Sequence, residues 1–289
     1  MTVLQHKVDF ALVFRVTNAN PNGDPLNGNR PRTSYNNIGE ITDVCLKRKL
    51  RDRLQERGEN IYIQSNDRRK DDHPSLERRA KSIINFTAEE SKIVALACQT
   101  WFDVRAFGAL FPFKEGKKPK SKSKKGDDEE QEADDAKSVS IGIRGPVTIQ
   151  SAFSLQPVEI TSTQITKSVS GEGDGSKRGS DTMGMKYRVD HGIYISCGSI
   201  NPQLAERTGF SEADAALLKA ILPKMLENDA SAARPEGSME VLKVIWWQHP
   251  NKSGLCSSAK VHRSLAVDAQ GNVTITKIDG LAEEIIDGF

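Results

Sequence analysis

The sequence predicts an α+β fold of the ferredoxin-like type, in which two large additions decorate a core. Several segments show the two-residue apolar alternation of strands, and others show the caps and apolar spacing of amphipathic helices. When residues 65–137 and 156–190 are set aside, the remaining elements run strand, helix, strand, strand, helix, strand. This is the order of the split β-α-β fold. Such a fold supports many functions and selects none by itself.

Length and composition indicate a soluble, cytoplasmic protein. The chain has 289 residues, which is enough to bury a large core in one decorated domain or two small ones. Its hydrophobic share is 37% and its mean hydropathy is −0.52. No apolar run approaches the roughly 20 residues that span a bilayer. Asp9 and Arg15 interrupt the first apolar stretch, so a signal peptide is not expected either.

The cysteines and the overall charge exclude some kinds of site and leave others open. Cys45, Cys98, Cys197 and Cys256 lie far apart, without a Cys-x-x-Cys pair or a histidine at ligand spacing. We therefore expect reduced core thiols, with no disulfide, metal or other cofactor. A net charge of +2 is too small to indicate a nucleic-acid partner, which only local clusters of charge can indicate.

The first strand leads into an unusual loop. Apolar residues fall on every second position of residues 8–16, which predicts a half-buried strand. Residues 18–32 then contain five asparagines, three prolines and two glycines, which predicts a chain of turns. A polar loop at the end of a rigid strand is a common position for a binding site. Turn geometry alone accounts for the composition equally well.

Residues 38–57 are predicted to form a helix with Asn36 or Asn37 as its N-cap. Its basic residues lie late in the segment, as the helix dipole favours. Lys47 and Arg51 are one turn apart and could hold a phosphate together. A solvated charged face explains them equally well.

The middle of the chain alternates between order and low complexity. We expect a short strand over residues 61–64 and a helix opened by the capping-box spacing of Thr87 and Glu90. The aromatic run 101–113 is predicted to be core, with Asp103 and Arg105 requiring partners.

Residues 114–137 join a lysine block to an acidic block, and no core can form from them. We interpret them as a mobile tip within an insertion. Strand patterns return over 139–155, with a break at Gly145 and Pro146.

Residues 160–167 and 181–189 are predicted to pair as a projecting arm. The tip between them, 170–180, is too polar to pack, so the arm must rest on another molecule. His191 and Gly192 are expected to break the pattern before a further strand over 192–200.

The C-terminal part repeats both element types. A capping box at Ser211 starts an amphipathic helix that Pro223 should kink. Residues 239–247 are apolar on both faces, as in a central strand. Residues 270–272 are predicted to turn a hairpin, and 281–286 to form a last short helix.

Four stretches together carry a resemblance to a known family. They are NANPNGDP at 18–25, TDVCLKRK at 42–49, DVRAFG at 103–108 and GIRGPVTIQ at 142–150. The set resembles the crRNA-binding backbone subunit of type I-C CRISPR interference complexes (Cascade), a member of the RAMP superfamily. The resemblance runs from the first strand to about Ser264 and does not include the charged tract 114–137.

The resemblance implies a modified RNA-recognition fold shaped like a hand. Residues 1–64, 138–155 and 191–289 would form the palm, 65–137 a helical insertion with a disordered charged tip, and 156–190 a hairpin thumb. Copies would stack head to tail along the crRNA. Further implied partners are the target DNA strand paired to the guide, the repeat-handle-binding subunit and the large PAM-recognising subunit. No membrane partner and no nuclease activity are implied.

The resemblance also implies where the guide lies. Contacts to its sugar-phosphate backbone give affinity without reading sequence, which a subunit that serves any spacer requires. For one candidate, Arg144, an ion pair within the fold is an equally good explanation. The candidates are Asn18, Asn20, Asn22, Lys47, Arg48, Arg51, Arg105, Arg144, Gln150, Ser151, Thr163, Gln164, Thr166, Lys167, Met183 and Lys186.

Three rival functions are weighed against this one. A RAMP-type endoribonuclease that processes crRNA precursors would use a histidine as general acid or base, and His191 near Tyr187 and Lys186 is the best constellation. A histidine before a glycine is more often a turn residue. Metal-dependent cleavage of a target RNA would place Asp24 in the asparagine-rich loop. A scaffold that binds only protein would leave the basic residues solvated.

Overall fold

The computed structural model describes residues 2–114, 138–166 and 183–289. The strands are β1 (Val8–Ala19), β2 (Gly23–Asp24), β3 (Arg30–Pro31), β4 (Ile38–Ile41), β5 (Gly108–Lys114), β6 (Ser138–Arg144), β7 (Val147–Ile149), β8 (Ala152–Pro157), β9 (Ile160–Thr166), β10 (Met183–Ile200), β11 (Met239–Gln248), β12 (Leu265–Val267), β13 (Val273–Ile275) and β14 (Ala282–Asp287). The helices are α1 (Asp43–Glu56), α2 (Leu76–Ile83), α3 (Glu90–Thr100), α4 (Phe102–Phe107), α5 (Pro202–Thr208), α6 (Glu212–Ile221) and α7 (Ser258–Arg263).

One antiparallel sheet organises the described chain. Its main path runs β14-β11-β1-β10-β8-β4, and β7 and β9 also pair with β10. Strands β5 and β6 form a separate two-stranded sheet, so of the strands in 138–155 only β7 and β8 join the large sheet. The predicted combination of helices and strands is confirmed, and the structure shows that most strands join one large antiparallel sheet.

Strand β1 is buried on both faces. Leu12 and Phe14 on one face belong to the main core, and Ala11 and Val13 on the other belong to a second core. The expected half-buried strand was therefore wrong. Because β1 lies between β10 and β11, both of its faces are covered by other layers. The small or β-branched residues at alternate positions fit the second core.

Helices α1 and α6 cover one face of the sheet. Leu46, Leu50 and Leu54 of α1 and Leu218 of α6 are fully buried in the main core. The insertion has its own core around α2, α3 and the β5–β6 hairpin, in which the ring of Tyr62 packs at a tilt against Trp101 and Phe111. The prediction that the aromatic run 101–113 is core is confirmed for Trp101 and Phe111.

The first predicted helix begins too early. Residues 38–41 form strand β4, which pairs with β8, and their alternate burial is that of an edge strand. Helix α1 begins at Asp43, where the Oγ1 of Thr42 accepts a hydrogen bond from the N–H of Cys45 at 3.3 Å. Asn37 is not the cap but lies in a turn, with a φ of 57°. The prediction missed that Thr42 competes with the asparagines as a cap.

Residues 61–64 do not form the predicted strand. The N–H groups of Tyr62 and Ile63 donate to the carboxylate of Asp103, at 2.7 and 3.1 Å, rather than to a neighbouring strand. The same carboxylate accepts from the Nε of Arg51 at 2.9 Å. These three hydrogen bonds satisfy the carboxylate of Asp103, as its burial requires.

The prediction of a capping box at Thr87 was also wrong, whereas the predicted capping box at Ser211 is confirmed. Helix α3 starts at Glu90, and the Oγ1 of Thr87 donates to the side chain of Asn85 instead. At α6, the Oγ of Ser211 and the carboxylate of Asp214 satisfy each other's backbone N–H groups. The α6 helix ends at Ile221 rather than continuing with a kink.

Of the predictions for the C-terminal part, the central strand and the hairpin are confirmed, and the last helix is wrong. Strand β11 is central, and β12 and β13 form the hairpin around residues 270–272. The predicted helix over 281–286 is wrong, because Ala282–Asp287 is an edge strand paired with β11. A six-residue segment is too short for apolar spacing to separate a helix from a strand.

The longest strand, β10, runs without a break from the arm into the sheet. Thr17 pairs with His191 and Val16 with Gly192, so the expected break there is absent. A Cβ on Gly192 would lie 2.9 Å from the ring of Tyr194 and 3.1 Å from Val158. The glycine therefore permits close packing inside a strand and does not form a turn.

The predicted arm is confirmed over the described residues. Strand β9 pairs with β10 from Ile160↔Val189 to Thr166↔Met183. Lys167 and the predicted tip 170–180 lie outside the described residues, as does nearly all of the charged tract 114–137.

Two other expectations concern the chain as a whole. All four cysteines are free, and burial raises the pKa of Cys98 to about 11, so its thiol stays protonated at neutral pH. In the part of the chain that the structure describes, no helix is both long and apolar enough to cross a membrane.

We predict that Asp103→Ala lowers the free energy of unfolding by about 3–5 kcal/mol, measured by urea denaturation. The substitution leaves the buried guanidinium of Arg51 without its carboxylate and two backbone N–H groups without an acceptor. The control Asp67→Ala removes an exposed carboxylate and should change stability by less than about 0.5 kcal/mol. Equal effects of the two substitutions would contradict this role of Asp103.

Candidate nucleic-acid interface

The asparagine-rich loop leaves the end of β1 and is held by its own amides. Buried Asn20 donates from Nδ2 to the carbonyl of Asn29 at 2.7 Å. The Oδ1 of Asn22 accepts from both the N–H and the Oγ1 of Thr42, each at 3.0 Å, which ties the loop to the start of α1. Asn18 is exposed, with a φ of 53°. Asn20 and Asn22 therefore shape the loop, and Asn18 faces solvent.

Asp24 has a structural role in this loop. Its Oδ1 accepts from the N–H of Leu26 at 3.2 Å and lies 3.3 Å from Arg32. It thereby caps the short 3-10 turn that follows. Among the described residues, no group of three or more His, Cys, Asp or Glu side chains is placed to hold a metal ion.

Arg30 connects the loop to the arm. Its guanidinium lies over the ring of Tyr187 on β10, 4.6 Å from the ring centroid, while the side chain remains exposed. A stacked guanidinium keeps the N–H groups at its edge free for an anion. Arg30 was not among the predicted binding residues, because the contact joins two segments that are far apart in the sequence.

The basic residues of α1 have different surroundings. Lys47 lies 3.0 Å from Asp43 near the surface. Arg48 bonds to Asp52 at 2.6 Å and to Asp229 at 2.7 Å. Arg51 is buried against Asp103. Lys47 and Arg51 do not form the expected joint phosphate site, because the guanidinium of Arg51 is buried and paired with Asp103.

Asp229 is the centre of a cluster of three cations, which we call the Asp229 cluster. It contacts Arg48, the buried Lys49 and, at 3.0 Å, Arg234. Burial alone would raise the pKa of Asp229, but the three cations hold it well below its usual range. The backbone N–H of Asn20 donates to the carbonyl of Ala233 at 2.8 Å, so the cluster adjoins the asparagine-rich loop.

Lys49 and Arg234 were missed by sequence reasoning. Lys49 belongs to a basic run that the sequence displays, but nothing in the sequence shows which members of that run are buried. Arg234 lies in an irregular segment with no apolar period, so only the fold brings it to the loop.

Arg105 is a structural residue by its contacts. Its guanidinium bonds to Asp214 at 2.8 and 3.2 Å and lies over the ring of Phe102. These contacts join α4 of the insertion to α6 on the sheet. A guanidinium held in this way is not available to a phosphate.

Arg144, Gln150 and Ser151 lie at the other end of the sheet. Strand β7 pairs with Gly198–Ile200 of β10, whereas the loop meets β10 at Val189. Eleven residues of strand separate Val189 from Ile200, a span of about 36 Å. Arg144 and Gln150 are exposed, but the structure does not bring them to the asparagine-rich loop.

The arm residues divide between two faces. Directly opposed residues of an antiparallel pair share a face. Lys186 opposes Thr163 on one face. On the other face Met183 opposes Thr166, and Gln164 lies 2.8 Å from the sulfur of Met183. All five side chains are exposed, as a contact surface requires.

The residues considered for RNA cleavage do not form a compact site. Tyr187 and His191 are four residues apart on one strand, about 13 Å, and Lys186 points to the opposite face. His191 is exposed and pairs with Thr17 inside the sheet. This geometry lacks the short contacts that a general acid and base need to act on one bond.

Comparison with known proteins identifies the family. The family model described as "CRISPR-associated protein Cas7" matches residues 6–284. The chain belongs to the Cas7 family. A relative of this family from Haloferax volcanii, CRISPR-associated protein Cas7, is 29% identical over 240 residues, which are 80% of this chain and 67% of the relative.

Two solved structures are similar to this Cas7-family chain. One is a chain of a CRISPR RNA-guided surveillance complex before nicking, with a TM-score of 0.46, 14% identity, and coverage of 83% of this chain and 78% of that chain. The other is a chain of a CRISPR RNA-guided surveillance complex, with a TM-score of 0.45, 14% identity, and coverage of 83% and 68%.

We predict that Asp229→Asn destabilises the protein by about 3–5 kcal/mol at neutral pH, because it leaves Lys49 buried without a counter-charge. Urea denaturation measures the change. Asp43→Asn is the control, since it removes the carboxylate of a half-buried pair on α1, the helix that carries Lys49, and should cost less than about 1 kcal/mol.

The pH dependence of this difference tests the cause. A carboxyl group whose pKa is lower in the folded state stabilises above its unfolded pKa, about 3.9, and loses this effect as the pH falls further. The stability difference between the wild type and Asp229→Asn should stay constant from about pH 7 to 5 and shrink below about pH 4. A difference that did not change with acid would show that Asp229 is not held ionised by its neighbours.

Proposed function

We propose that this Cas7-family chain is a non-catalytic RNA-binding subunit that oligomerises along a crRNA guide and forms the backbone of a CRISPR interference complex for target DNA recognition. The observation that carries the proposal is the joint between loop and arm, where Arg30 lies over Tyr187 beside exposed amide and hydroxyl groups. These groups suit a sugar-phosphate chain, which they would hold without reading bases.

The architecture supports an RNA-recognition-type palm. Along the chain, β1, α1, β8, β10, α6 and β11 follow one another in the order of the split β-α-β fold. In the sheet, the four strands lie in the order β11-β1-β10-β8, and both helices contribute to the main core. On this proposal residues 65–137 are the helical insertion and 156–190 the thumb.

The arm supports contact with a further copy or with the guide. Ile165, Met183 and Met185 expose 49%, 67% and 49% of their surface at its described end. Apolar side chains on a two-stranded arm have no core of their own to enter. We therefore assign to the arm the contact that joins neighbouring copies along the guide. The target strand and the other subunits of the complex would bind to the resulting assembly.

The roles of individual residues follow from exposure. Exposed Asn18 and Arg30 are assigned to the guide where the loop meets the arm. Lys186, on the opposite face of the arm from Tyr187, is assigned to the guide where it passes the arm, together with the polar arm residues. Lys47 and the partly exposed Arg48 would contribute positive potential at the start of α1. We assign Arg51 and Arg105 to the stability of the binding surface rather than to RNA itself.

We predict that Arg30→Ala combined with Lys186→Ala weakens binding of spacer-length RNA about 25-fold at about 0.1 M salt. Each phosphate contact to a single strand contributes about 0.7 to the slope of log K against log salt, which is about fivefold per contact at this concentration. The slope should therefore fall by about 1.4. Filter binding across a salt series measures both quantities.

A matched control uses Lys92→Ala with Lys252→Ala, which removes two exposed cations outside the loop and arm. This pair should leave affinity and slope unchanged. Arg30→Lys should keep the slope but lose affinity, since an ammonium group cannot stack as a guanidinium does. Unchanged RNA binding by the first double variant would show that the guide contacts neither Arg30 at the joint between loop and arm nor Lys186 on the other face of the arm.

A further inference from the structure

A pocket in the C-terminal part carries three exposed cations. It lies between α7 and the segment that follows β13, and its volume is about 580 Å³. Lys260, Arg263 and Lys277 line it, and Asp279 is the one acidic residue in the lining. The pocket therefore carries an excess of two positive charges.

These three cations lack the partners that other surface cations have. Among the residues that the structure describes, no carboxylate lies within ion-pair distance of Lys260, Arg263 or Lys277. Lys219 and Lys252, by contrast, each contact a glutamate at 2.5–2.6 Å. Asp279 offsets only one of the three charges, so cations that converge here without an ion pair repel one another, and a bound anion relieves this repulsion.

A buried polar cluster holds two walls of the pocket, the Leu255 segment and α7. Asp9 of β1 is fully buried and lies 2.8 Å from the Nε2 of His249. The Nδ1 of His249 accepts from the N–H of Leu255 at 2.9 Å, which places one wall. His262 of α7 lies 3.6 Å from Asp9 and contacts the carbonyl of Gly198. The pocket is therefore attached to the central strands and is not a gap between loose loops.

The pocket is far from the asparagine-rich loop. Its Leu255 and α7 walls are connected to β1 at Asp9 through His249 and His262, whereas the loop begins after Ala19, ten residues and about 33 Å along the strand. It also lies on the face of the second core, with Val261 of α7, and not on the face covered by α1 and α6. A phosphate in this pocket cannot be one that the loop of the same copy holds.

We infer that this pocket binds backbone phosphates of a second nucleic-acid strand, separate from the strand on the loop and arm. The inference goes beyond the guide-binding function proposed above and does not require it. All three cations are exposed. The ammonium groups of Lys260 and Lys277 act as point charges toward a hydrated phosphate chain, and the guanidinium of Arg263 adds a planar set of N–H donors. Leu255, 44% exposed at the rim, offers an apolar contact for a sugar or base.

A small phosphate compound is the less suitable ligand of the same chemistry. Sites for such ligands enclose most of the ligand and aim buried polar groups at it. Here the charged groups lie on an open surface, which suits a chain whose phosphates bind one after another.

The test compares two strands on one protein. Fluorescence anisotropy follows labelled spacer-length RNA, and then a labelled single-stranded DNA of unrelated sequence added to protein that unlabelled RNA has saturated. Lys260→Ala with Lys277→Ala should weaken DNA binding about 25-fold at about 0.1 M salt and leave RNA binding unchanged. Arg30→Ala with Lys186→Ala should show the reverse pattern. Asp279→Asn should tighten DNA binding.

The matched control, Lys219→Ala with Lys252→Ala, removes two paired cations and should change neither affinity. Unchanged DNA binding by the pocket variant would overturn the inference, and so would an equal loss of RNA affinity, which would make the pocket part of the guide surface. Displacement of DNA by inorganic phosphate at about 10 mM and constant ionic strength would show a small-anion site instead. If no variant binds RNA but DNA binding depends on the pocket, the guide proposal fails and this inference stands.

Discussion

The pairing of β1 with β10 is the interaction on which the rest of the structure depends. The two strands are in register from Val8↔Ile200 to Ala19↔Val189, and β10 then continues into the arm beside β9. Because one strand belongs to both the core and the arm, the core fixes the direction of the arm. The end of β1 delivers the asparagine-rich loop to the base of the same arm. One ladder therefore places both halves of the proposed guide surface.

Buried ion pairs determine which charges remain for a ligand. Arg51 with Asp103 and Arg105 with Asp214 join the insertion to the sheet, and Asp229 holds part of the basic run of α1. Removing either partner of such a pair would leave an uncompensated charge in the interior. The exposed positive surface is therefore smaller than the number of basic residues in the sequence would suggest.

Local patterns in the sequence were sufficient for the long elements. The alternation in β1, the apolar run of β11, the cap at Ser211 and the two strands of the arm were each predicted. Short edge strands such as β4 and β14 were taken for helices, because so few residues fit either period. Asp103, Lys49 and the stacking of Arg30 on Tyr187 involve partners far apart in the chain, so no local pattern could predict them. The family resemblance pointed to candidate segments but could not separate buried arginines from exposed ones.

The central claim is that loop and arm form one RNA-binding surface, and amide hydrogen exchange with and without spacer-length RNA tests it most directly. Bound RNA should slow exchange in residues 18–32 and, at the same RNA concentration, in 160–166 and 183–190. Exchange in α3, on the insertion, should not change. Protection of only one of the two segments, or of neither at saturating RNA, would contradict the claim.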